Sequence, residues 1–223
     1  MNVTKDKILS IFFQYSIPSV LGMLAISSAS IVDGFFIGNY VGDFGLAAIN
    51  ISFPIFSLLF GFAFMLAIGS SVISGKLIGE GNIKNASIIF SKTMVSITLF
   101  SFTMCSVLFL NIETILHFFG ADENLTKIAI EYLSVILIFI PFLMIGVVLD
   151  YFVRVDNRPN LAFIALLSSA VINVILDWFM IVYLQKGILG AALATGISQL
   201  ALLFILLPHF FSKKATLKFV KPL

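Results

Sequence analysis

The sequence predicts an all-α, polytopic transmembrane bundle of six helices with both termini in the cytoplasm. Three observations predict it. The chain is 60% hydrophobic and 11% charged, with a mean hydropathy of +1.14; soluble domains run at about 45–50% apolar and about 25% charged. Six apolar runs are each long enough to cross a bilayer. The cations, finally, fall on alternate connections. Lys5, Lys7, Lys76, Lys84, Lys92, Arg154, Arg158, Lys213, Lys214, Lys218 and Lys221 lie on one side, and only Lys127 and Lys186 on the other. Connections rich in Lys and Arg stay in the cytoplasm, and an even number of spans returns the chain to the side it started from.

The same dispersion of cations argues against nucleic-acid binding, which needs them gathered on one face. Cys105 is the only cysteine, so neither an intrachain disulfide nor a cysteine metal site is available. The first apolar run is too long for a cleaved signal peptide and reads as the first span.

The first span covers about 8–37. Pro18 removes a backbone donor inside it and favours a kink. Asp33 lies near its far end. Because Phe35, Phe36 and Ile37 follow, the apolar run continues past the acid, and an inward-facing carboxylate is favoured over an interfacial one. The Gly-rich GNYVGDFG, which carries Asp43, leads to a second span at about 46–75. Pro54 is tolerated there where neighbours satisfy the freed carbonyl. Its end collects Gly69, Ser70, Ser71, Ser74 and Gly75, a close-packing signal.

The third span, about 86–110, has mainly Ser and Thr as polar residues, which bond back to their own helix; it reads as scaffold. The mixed segment NIETILHFFGADENLTK reads as a short interfacial helix. His117 and His209 stand about ninety residues apart and give no metal constellation. The fourth span, about 128–154, carries Tyr132 near its start, Pro141 in its middle and Asp150 near its end. Arg154 follows Asp150 by four residues, so a helix-surface ion pair accounts for Asp150 as readily as a place in a functional cluster. RVDNRPN is a polar turn.

The fifth span, about 161–183, carries Asn173 and Asp177, four residues apart and therefore stacked on one helix face. A carboxylate at the centre of a membrane helix costs about 2.5–3.5 kcal/mol, so Asp177 points to function. The sixth span, about 191–211, contains Thr195, and a basic tail follows. With both outward-running helices carrying an acid near the outer end, Asp33 and Asp177 are expected at similar depth. Such a pair can take up a proton or, with oxygens of Asn173 and Thr195, hold a small cation such as Na⁺. No cofactor is implied. HExxH and GxSxG motifs are absent, which argues against an intramembrane enzyme.

Pro18, then VDGFFIGNYVGDFGLAAINISFPI and AIGSSVISGKLIGEGN, then RVDNRPNLAF, NVILDW and GAALATGISQ, resemble in order and spacing the multidrug and toxic compound extrusion (MATE) family of cation-coupled exporters. The resemblance covers essentially the whole chain. It implies an N-terminal lobe of six helices, here residues 1–223, paired with a C-terminal six-helix lobe supplied by the same or another chain. The family's N-lobe cation site maps onto Asp33, Asn173 and Asp177. Tyr132, Asp150 and Thr195 match the rest of its polar network, with Asp150 standing where some relatives have Asn. Pro18 matches a first-helix proline whose bending has been proposed as part of transport. The implied activity is export of hydrophobic or cationic drugs across the plasma membrane, driven by H⁺ or Na⁺. The alternatives are a lipid-linked oligosaccharide flippase of the related superfamily and a non-transporting assembly protein. A flippase for a pyrophosphate lipid is expected to place cations in its cavity, whereas nearly all Lys and Arg here lie in connections.

Overall fold

The computed structural model describes residues 8–221; Lys5 and Lys7 of the charge pattern lie outside them. Seven α-helices follow one another: α1 Ile8–Tyr40, α2 Asp43–Gly79, α3 Ile83–Leu110, the short α4 Ile112–Phe118, α5 Glu123–Val155, α6 Pro159–Asp177 and α7 Gly187–Leu206. The last two are prolonged, α6 by a π-helical turn at Trp178–Tyr183 and α7 by a 3₁₀ turn at Leu207–Phe211. No strand occurs among the described residues. Six of the helices are long and apolar enough to cross a membrane, and the chain is a multi-pass membrane protein.

The helices overrun their apolar runs because capping chemistry, not hydropathy, ends them. Asn82 caps α3 by accepting from the Asn85 N–H at 3.3 Å. Asp122 caps α5 by accepting from the Leu125 N–H at 2.8 Å. Pro159 opens α6 where no donor is needed. At the end of α2, Asn82 N–H donates to Leu77 O and Gly81 N–H to Ile78 O, with Gly81 at φ 78°. This is a Schellman closure, and its left-handed residue is the reason for glycine.

The long α5 forms the core of the bundle, packed between α2, α3 and α7. Leu133, Ile140, Met144, Val148, Leu149 and Phe152 on it are at most 1% exposed. The face of α2 turned inward is Leu59, Ala63, Ala67, Ser71 and Ser74. Small residues at that spacing let two helix backbones approach closely. In contrast, α1 packs chiefly on α6 and buries little beyond Gly22, Ala29 and Ile37. Leu9, Phe12, Leu21, Leu24, Ile31 and Phe35 are left on its outside. α1 is thus the long helix least held by the rest of the bundle.

Candidate functional site

Asn173 and Asp177 stack on the last turn of α6, directly before the helix loosens. From Trp178 the hydrogen bonding shifts register, and Leu184 N–H reaches back five residues to Phe179 O at 2.9 Å. Single π-helical turns of this kind concentrate at functional sites because they release or redirect side chains next to them. The turn is braced from outside. A Cβ on Gly190 of α7 would stand 3.1 Å from the Met180 carbonyl oxygen, so α7 lies against the backbone of the π turn.

A cavity of about 340 Å³ opens beside this point. Asp33 of α1, Tyr132 of α5, Asn173 of α6 and Thr195 of α7 all line it. Phe53, Phe56, Ile26 and Leu46 make much of the rest apolar. Asp177 does not line the cavity; it follows Asn173 by one helical turn and is 0% exposed. Tyr132 lies in the neighbourhood of both Asp33 and Asp177. The ring of Tyr132 is fixed by an edge contact with Phe56 at 6.2 Å.

Both carboxylate oxygens of Asp177 and one of Asp33 are buried with no hydrogen-bond partner. Buried polar atoms are satisfied in the great majority of cases, and an exception calls for a reason. Three orphan acceptors from two acids, beside the amide of Asn173 and the hydroxyls of Thr195 and Tyr132, form an oxygen-rich cluster. Chemically it can accept a proton or coordinate a small hard cation. Ser30, Asn50 and Gln199 also line the cavity and escaped the sequence reading. Gln199 was findable, since it follows Thr195 by one helical turn; Asn50 sits on α2, which carries no other cue.

Asp150 lies elsewhere. Both its oxygens are taken by Arg154, at 3.0 Å from Nε and 3.0 Å from Nη2, and it is not among the residues lining the cavity. Arg154 also donates from Nη1 to the Ser19 hydroxyl on α1. The i,i+4 ion pair expected between Asp150 and Arg154 is present. Pro18 neighbours Ser19 inside an uninterrupted α1. The missing proline N–H leaves the Gln14 carbonyl without its usual helical partner. His117 hydrogen bonds the Ala121 carbonyl at 3.2 Å, and His209 pairs with Asp156 at 2.6 Å. Among the described residues no three His, Cys, Asp or Glu gather as a metal site.

Comparison with known proteins adds a family. A model of the MatE family matches residues 18–179. Over 222 residues the chain is 26% identical to the multidrug export protein MepA of Staphylococcus saprophyticus, covering 98% of this chain and 49% of that one. MepA of Staphylococcus haemolyticus is 27% identical over 216 residues, covering 96% and 48%. A solved structure of MATE in complex with MaD3S superposes with a TM-score of 0.87 at 25% identity, over 92% of this chain and 46% of that one. The chain spans about half the length of the curated relatives it matches.

Proposed function

We propose that this chain, which belongs to the MatE family of membrane transporters and not to an enzyme family, is one lobe of a cation-coupled drug exporter. It would act in the plasma membrane together with a second six-helix lobe, in the same or another chain, with both termini of this lobe in the cytoplasm. The observation that carries this reading is the pair Asp33 and Asp177, with three buried oxygens lacking any partner beside a largely apolar cavity. Its support from relatives is the export of multiple drugs named for the two MepA proteins.

The coupling follows from charge. With the cluster empty, its carboxylates favour a cationic compound in or near the cavity. The apolar wall, with Phe53 and Phe56, favours a flat hydrophobic body and, through ring faces, a cation. When a proton or Na⁺ enters the cluster, its negative charge falls and the hold on the compound weakens. A compound bound on one side is then released on the other, provided the two lobes alternate in exposing the cavity. No Lys or Arg lines the cavity, which speaks against a pyrophosphate-lipid flippase, whose cargo would need them.

The test is efflux of a fluorescent lipophilic cation by the complete transporter under an imposed H⁺ or Na⁺ gradient. Asp33→Asn should reduce gradient-driven efflux by at least about tenfold, the size of an ordinary coupling free energy. Efflux at the wild-type rate with an unchanged response to the gradient would overturn the assignment. Whichever gradient drives the wild type identifies the coupling ion.

A further inference from the structure

The end of α5 and the turn to α6, residues 154–158, make polar contacts in two directions. Toward α1, Arg154 donates to Ser19, beside Pro18, and Asn157 accepts from the Tyr15 hydroxyl at 2.6 Å. Asn157 is presented by a left-handed backbone, φ 60°. It closes α5 as glycine does elsewhere, with Arg158 N–H donating to Val153 O. A side chain that tolerates this conformation and also accepts a hydrogen bond is a narrow choice, and Asn meets it.

Toward the end of the described chain, Asp156 does more. Its side chain is 0% exposed and accepts from His209 Nε2 at 2.6 Å. It accepts further from the Thr216 N–H at 3.0 Å and from the Leu217 N–H at 3.3 Å. The segment 212–221 is thereby laid back across the bundle. Beyond Asp156, Lys218 N–H donates to the Ser87 hydroxyl and Val220 N–H to the Ser91 hydroxyl, both on α3. Alternate residues of an extended strap thus meet hydroxyls one helical turn apart. Leu217 is fully buried, and Phe219 packs on Phe90 at 4.8 Å between ring centroids. A buried carboxylate with a histidine and two backbone donors is a built anchor: removing it leaves those donors unpaired.

We propose that this turn is a mechanical junction that holds the departing strap and the proline region of α1 in one fixed relation. Asp156 is the positioning residue on the strap side, and Arg154 and Asn157 act on the α1 side. Three anchoring residues, Arg154, Asp156 and Asn157, fall within four positions at the close of α5, so a shift of either partner is passed to the other. The junction lies away from the cavity and its acids, and its operation does not depend on which ion or compound is carried.

Hydrogen exchange followed by mass spectrometry on the full chain in a lipid bilayer tests this. In Asp156→Ala, amides of 216–220 should exchange at least about tenfold faster as local opening becomes easier, and amides of 15–21 in α1 should speed up with them. Faster exchange in the strap with α1 at the wild-type rate would overturn the coupling. Asp156→Asn keeps the shape and an acceptor, and should give a smaller change in both segments; this variant decides the matter if the alanine variant does not fold. Tyr15→Phe removes only a hydroxyl on the α1 side. It should accelerate exchange at Thr216 and Leu217, and unchanged exchange there would equally overturn the junction.

Discussion

Asp177 is a side chain that stability alone would not place. It is fully buried, and neither oxygen has a hydrogen-bond partner. Replacing it with the near-isosteric Asn removes a buried ionisable group that no partner satisfies, so Asp177→Asn should unfold at a higher temperature than the wild type. A lower unfolding temperature would mean that the carboxylate has a structural partner instead. Asp150 predicts the opposite pattern. Its fork with Arg154 leaves the two side chains 14% and 17% exposed, so Asp150→Ala strands a guanidinium. Stability should fall by up to about 3 kcal/mol, while the dependence of efflux on the cation gradient stays as in the wild type. Sequence spacing pairs Asn173 with Asp177 without ambiguity. It could not separate the two fates of Asp150, because an i,i+4 cation and a place in a distant cluster are both compatible with one helix position. Asp156 and His209 were illegible for a related reason: each is unremarkable in its own segment, and only the returning strap brings them together.

At the scale of elements, helix existence follows from apolar length, and the six spans are legible for that reason. The π-helical turn after Asp177 is not, since WFMIVY reads as ordinary helix and nothing local in it marks the α7 backbone that lies against it. Gly190→Ala would push a Cβ against the Met180 carbonyl. We expect a destabilisation of about 1–3 kcal/mol, as for other overpacked sites, seen as a lower unfolding temperature; an unchanged temperature would show that the contact yields freely. Pro18 belongs to this scale too. Pro18→Ala restores the bond to the Gln14 carbonyl, and α1 should gain up to about 3 kcal/mol of helix stability. If α1 must bend during transport, turnover falls although the cavity keeps its lining; unaltered turnover would remove Pro18 from the mechanism.

For the whole molecule, the chain matches about half the length of MepA, and α1 carries an exposed apolar side. The charge pattern makes a separate claim about orientation. A cysteine placed at Lys213 should react with a membrane-impermeant maleimide only from the cytoplasmic side, and one placed at Lys186 only from the opposite side, in a background where Cys105 is replaced. The reverse labelling would invert the topology.

Uphill accumulation addresses the role of the acid pair most directly. Proteoliposomes containing the complete transporter are loaded with a cation gradient and offered equal concentrations of a lipophilic cation inside and out. The wild type should concentrate the compound against its own gradient. Asp177→Asn should allow it only to equilibrate. Accumulation by Asp177→Asn to the wild-type level would contradict the assignment of Asp33 and Asp177 as the seat of coupling.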